Sequence, residues 1–159
     1  MYCSISFFCK VHDFHSHFKT IFMWSASSGL GMNCSWREYE NKCYFFSTDT
    51  KKSWAAARHD CVQEGGDLVS ITSAGEDYLK DLELPTWIGL SDLLVENQYA
   101  WSDGVSAVLY TNWNDKEPNN AGGAEHCVAM THGPLVTGKW NDDACSKNHS
   151  FVCYRKKCQ

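Results

Sequence analysis

The residue pattern predicts a disulfide-stapled domain that mixes helices with short strands. Three observations point there. An apolar stripe at helical spacing follows a capping serine at Ser53. Several short apolar runs are bounded by Gly, Asn and Asp. And the chain of 159 residues carries nine cysteines, with no C-x-x-C spacing of the kind that holds zinc. Dense cysteine without metal spacing implies disulfides and an oxidising compartment, hence a secreted or extracellular protein. The length suits one domain with a real core. A net charge of −5 gives no reason to expect a nucleic-acid partner, and Arg155-Lys156-Lys157 reads as a solvated tail. No apolar stretch reaches the 18 or so residues of a membrane span.

The elements follow in order. Residues 1–33 hold two Phe-rich apolar fragments, Ile5 to Phe8 and Ile21 to Trp24, divided by Lys10, His12, His15, His17 and Lys19. A secretory signal needs about 7–15 contiguous apolar residues, so this segment reads as a degenerate signal or leader, or a disordered extension. Ser25 to Met32 is a small-residue linker. The three histidines form a metal-like cluster to which no role is assigned. A domain is expected over residues 34–155, with a short tail at 156–159.

Trp36, Tyr39, Cys43, Tyr44, Phe45 and Phe46 predict a short strand pair. Ser53 can cap a helix running to about Glu64, burying Trp54, Ala57 and Cys61, and Gly65-Gly66 ends it. Leu68 to Ile71 is an extended piece. Ser73 and Glu76 form a capping box for a second helix to about Glu83, which buries Leu79 and Leu82 and is closed by Pro85. Trp87-Ile88-Gly89-Leu90 predicts a buried strand. The stretch from Ser91 to His126 is a long loop, and loops of that length in compact domains are functional or disordered. Trp101 and Trp113 supply core area, so an ordered, functional loop is expected. Cys127 to Met130, Lys139 to Asn141 and Phe151 to Tyr154 predict the closing strands. Asn33-Cys34-Ser35 and Asn148-His149-Ser150 match the glycosylation acceptor pattern.

Glu117, Asn119, Glu125, Asn141 and Asp142 all offer side-chain oxygen and require neither sulfur nor imidazole, which is a hard-cation set. Calcium takes about 6–8 oxygens at flexible geometry. Five side chains and a backbone carbonyl would leave room for two ligand hydroxyls, and three carboxylates would leave about one negative charge over the ion. Each triplet alone, Glu117-Pro118-Asn119 or Trp140-Asn141-Asp142, is more often an ordinary turn or strand end. Together, with Glu125 between them and cysteines nearby, they favour a site.

At this point the chain resembles the C-type lectin-like domain. The residues that carry the resemblance are Gly65 to Ile71, Trp87-Ile88-Gly89-Leu90, Trp101-Ser102-Asp103-Gly104, Glu117-Pro118-Asn119, Trp140-Asn141-Asp142 and six cysteines, from Cys34 to Cys153. The resemblance implies an α+β fold, with two helices flanking small antiparallel sheets and a long calcium- and sugar-binding loop. It implies disulfides Cys34–Cys43, Cys61–Cys153 and Cys127–Cys145, and a cis peptide at Pro118. It implies a principal Ca2+ held by Glu117, Asn119, Glu125, Asn141 and Asp142, the same residues binding two neighbouring sugar hydroxyls. The Glu-then-Asn order resembles binders of mannose, fucose and N-acetylglucosamine; a Gln-then-Asp order marks galactose binders. Asp92 and Glu96 match an auxiliary calcium site, although Asn120 and His126 stand where that pattern has acids.

Two other readings compete. A lectin-like domain can contact a protein or ice without binding sugar. An enzyme is disfavoured, since no G-x-S-x-G, H-E-x-x-H or phosphate loop is present. Cys3, Cys9 and Cys158 fall outside the six paired positions. Cys158 is therefore expected to bridge to Cys3 or Cys9, or to a second chain in a disulfide-linked dimer.

Overall fold

The computed structural model describes residues 36–39, 42–74, 85–133 and 136–158. Its strands are β1 (Arg37–Tyr39), β2 (Lys42–Lys52), β3 (Asp67–Leu68), β4 (Thr86–Ser91), β5 (Ala100–Trp101), β6 (Cys127–Gly133), β7 (Val136–Asp143) and β8 (His149–Arg155), with one α-helix, α1 (Trp54–Gln63). The second helix expected after Ser73 falls mostly on residues 75–84, outside the described residues. Cys34 and residues 1–33 also lie outside them.

Helix α1 begins where a side chain can replace a missing backbone partner. Ser53 Oγ accepts from the Ala56 amide at 3.4 Å, satisfying one of the four orphan donors of a helix start. Trp54, Ala57 and Cys61 are its buried residues, at the spacing of one helical face. The helix stops at Gly65, whose φ of +80° suits a residue without Cβ. The next amide, of Gly66, bonds the Cys61 carbonyl at 2.9 Å.

The strands join in the order β1-β2-β8-β4-β6-β7, with β3 on β8 and β5 on β4. Where small antiparallel sheets were expected, one connected sheet is found, and the β4–β8 pairing is parallel. The central strands are apolar on consecutive positions because both of their faces are covered. Alternation sorts those positions into two clusters. Trp87, Cys127, Ala129, Phe151 and Cys153 pack with Trp54, Ala57 and Cys61 of α1. Ile88, Leu90, Val128, Met130 and Val152 pack with Trp101 and Trp140. Period-two side-chain direction is the cause. At Gly89 an added Cβ would sit 2.8 Å from Ser102 Oγ and 2.9 Å from the Leu68 carbonyl, so β4 can lie this close to both segments only with glycine there.

Disulfides tie the layers. Cys61 on α1 is bridged to Cys153 on β8, and Cys127 on β6 to Cys145. Cys43 is bridged to Cys158, with Cα atoms 5.4 Å apart, which corrects the expected Cys34–Cys43 pairing. The reason is register: β2 and β8 are antiparallel with Cys43 opposite Arg155, so the chain leaves β8 beside the start of β2. The same bridge corrects the expectation that Cys158 pairs with Cys3, Cys9 or a second chain. Among the described residues no helix is long and apolar enough to cross a membrane.

Candidate functional site

The long loop is held to the sheet by its aromatic residues. Trp101, Tyr110 and Trp113 each lie 5.8 Å from Trp140, ring centroid to centroid, at interplanar angles of 81–88°, an edge-to-face geometry that favours aromatic pairs. Trp113 also forms a bridge alongside Trp140. Around it, the Asn114 amide bonds the Trp140 carbonyl and the Trp140 amide bonds the Asn112 carbonyl, both at 2.8 Å. These contacts deliver Glu117, three residues beyond Asn114, to the end of β7 that carries Asn141 and Asp142.

Asp142 is the centre of the arrangement. It is 0% exposed. Its Oδ1 accepts the Asn119 amide at 3.0 Å and its Oδ2 the Asn120 amide at 2.7 Å, with the Tyr99 hydroxyl donating to Oδ2 at 3.4 Å. The Glu117–Pro118 peptide is cis, and the side chains on either side of the proline meet: Asn119 Nδ2 donates to Glu117 Oε1 at 2.8 Å. Glu117 Oε2 is buried with no hydrogen-bond partner. Burial and the neighbouring Asp142 carboxylate push the Glu117 carboxyl up, partly offset by the Asn119 hydrogen bonds. Burial and the Asp142 and Asp92 carboxylates likewise raise the Tyr99 phenol. The pocket is thus crowded with negative charge.

Glu125 joins through the backbone. Its Oε2 accepts the Ala121 amide at 2.8 Å and its own amide donates to Asn120 Oδ1 at 3.0 Å. Asn120 adopts the left-handed conformation, φ 41°, which asparagine tolerates better than most residues. Asn141 lies on β7 opposite Ala129 and donates from Nδ2 to the Asp142 carbonyl at 2.5 Å. The next residue, Asp143, provides a contrast. Burial raises its carboxyl, but bonds from Lys147 and His149 outweigh that and hold it below the usual range. Glu117, Glu125 and Asp142 have no Lys or Arg ion pair among the described residues.

Asp92 and Glu96 come together with His126. Asp92 Oδ1 lies 3.1 Å and Glu96 Oε2 3.4 Å from His126 Nδ1. Residue pattern marks Asn120 and His126 through the auxiliary calcium positions, where they replace acids, and leaves Tyr99 unmarked. Asn120 adjoins the Glu-Pro-Asn triplet, a local signal; Tyr99 carries none.

A family model, the lectin C-type domain, matches residues 50–155. The chain belongs to the C-type lectin domain family. The lectin domain is 43% identical over 123 residues to the mouse low affinity immunoglobulin epsilon Fc receptor, covering 75% of this chain and 35% of that receptor. The chain therefore spans about a third of that relative's length. Among solved structures it is similar to the cow C-type carbohydrate-recognition domain of CD23 in the presence of a GlcNAc2Man3 oligosaccharide, at 39% identity and a TM-score of 0.70, covering 78% of this chain and 95% of that one. It is also similar to a calcium-independent type II antifreeze protein, at 31% identity and a TM-score of 0.70, covering 80% and 96%. The lectin domain is a binding module and not an enzyme.

Proposed function

We propose that this lectin domain binds glycans ending in mannose, fucose or N-acetylglucosamine, through a calcium ion held by Glu117, Asn119, Glu125, Asn141 and Asp142. The observation that carries the proposal is the buried, partnerless Oε2 of Glu117 beside the fully buried Asp142. A buried carboxylate oxygen without a donor is costly, and a carboxylate whose charge is disfavoured by burial and by a neighbouring carboxylate suits a divalent cation. The donors are oxygen, the chemistry calcium prefers. When bound, calcium would supply Lewis-acid positions for two neighbouring sugar hydroxyls. The residues themselves set orientation. Asn119, with its Nδ2 turned to Glu117, keeps Oδ1 for the ion side, and the carboxylates can accept hydrogen bonds from the hydroxyls. The similarity to a carbohydrate-recognition domain studied with a mannose-containing oligosaccharide supports the sugar class.

Retention on mannose resin in calcium, with release by chelator, is the expected result. Exchanging Glu117→Gln together with Asn119→Asp is expected to move preference toward galactose; unchanged inhibition by free mannose would count against the assigned order. The similarity to a calcium-independent antifreeze protein supports a second reading, a lectin-like surface without sugar binding. Passage of the wild type straight through mannose resin in calcium would favour it. A secreted or extracellular setting accords with three disulfides within the described residues.

A further inference from the structure

We propose that Asp92, Glu96 and His126 form a zinc site, separate from the calcium and sugar site and selective for a borderline metal over calcium. Their donor atoms lie within 4.8 Å of one another. His126 Nδ1 is 3.1 Å from Asp92 Oδ1 and 3.4 Å from Glu96 Oε2. Around a tetrahedral zinc with bonds of about 2.0–2.1 Å, neighbouring donors are about 3.3–3.4 Å apart, so two edges of the polyhedron are already close to length.

The surroundings favour zinc over calcium for a specific reason. Calcium needs about 6–8 oxygens. Asn120, which contacts Glu96, turns its nitrogen and not its oxygen toward that carboxylate. Its Oδ1 receives the Glu125 amide at 3.0 Å, and an N–H can only donate, so the oxygen must face that way. Its Nδ2 then points at Glu96 Oε1, 2.5 Å away, presenting hydrogens. Glu125 is already assigned to the principal calcium. What remains is two carboxylates and one imidazole, a set that suits zinc.

The site is also anchored and open in the right proportion. The Asp92 side chain is 1% exposed, and its second oxygen takes the Asn97 amide at 2.8 Å, which orients the first toward His126. The side chains of His126 and Glu96 are 30% and 50% exposed, leaving an approach from solvent and a position for water.

The test is calorimetric titration of the chelator-treated full chain with zinc chloride, in millimolar calcium so that calcium sites are filled. One zinc equivalent is expected to disappear, or to weaken at least about tenfold, in His126→Gln. It is expected to persist when His12, His15 and His17 are all changed to alanine. His126→Asp, which exchanges nitrogen for oxygen at the same place, is expected to lose zinc as well and serves if His126→Gln fails to fold. Zinc binding by either His126 variant equal to wild type would overturn the proposal. So would loss of all zinc binding on removal of the three leader histidines. The readout does not involve sugar, so its failure is distinct from failure on mannose resin.

Discussion

Replacing Asp142 by asparagine tests the proposed site at its most buried point. The carboxylate serves two backbone amides at once, Asn119 at 3.0 Å on one oxygen and Asn120 at 2.7 Å on the other. Asparagine has the same shape but a single acceptor; its NH2 would face one of those N–H groups. One charge-assisted hydrogen bond is therefore lost, worth about 1.5–3 kcal/mol. The loss falls on the segment carrying Asn119 and leading to Glu125, so it acts on the preorganisation of the ligands rather than on the whole core. It converts to a weakening of calcium affinity of roughly ten- to a hundredfold, a floor, because a charged ligand is removed as well. Calcium titration followed by calorimetry, with mannose-resin retention in parallel, measures it. In chelator the variant is expected to melt near wild type, since removing the charge also relieves Glu117. Calcium affinity within about threefold of wild type would refute the clamp role argued for Asp142.

Other expectations concern charge and covalent staples. In chelator, Glu117→Gln is expected to be more stable than wild type at neutral pH. Burial and Asp142 raise the Glu117 carboxyl, and a raised folded-state value contributes stability that is present below the unfolded value, about 4.3, and lost as pH rises through the folded one. The advantage of the variant should accordingly shrink as pH falls toward 4; thermal melts across that window would show it, and an advantage that grows on acidification would contradict the sign. Replacing Cys127 and Cys145 by serine opens a link of 18 residues and is expected to cost about 3 kcal/mol, read from denaturant midpoints. A loss below about 0.5 kcal/mol would mean that the β6–β7 pairing holds that end without the bridge.

Legibility in the sequence followed locality. Helix α1 could be read because its cap, its stripe and its terminating glycines all lie in one short segment, from Ser53 to Gly66. The strands around Trp87, Cys127 and Phe151 could be read because burial on both faces leaves a continuous apolar run. Their joining into one sheet with a parallel β4–β8 contact could not, since pairing partners are distant in the chain and apolar runs do not encode direction. Cys158 shows the same limit. Its partner depends on where the end of β8 lies against β2, a matter of register across most of the chain's length. The Glu117–Asn119 and Asn141–Asp142 pairs stood out by residue type; Tyr99 did not, because its contact with the carboxylates arises only when the loop folds back.

From the sequence alone came the inventory: oxygen donors in two triplets, tryptophans enough to order a long loop, and cysteines enough to staple it. Only the tertiary structure decided how those donors are used. It seats Trp113 beside Trp140, brings Glu117 to the end of β7, sets Asp142 under two amides, and turns the Asn120 amide so that its nitrogen faces Glu96. Donor types are carried by residues one at a time, whereas donor orientation is settled by hydrogen bonds between segments far apart in the chain.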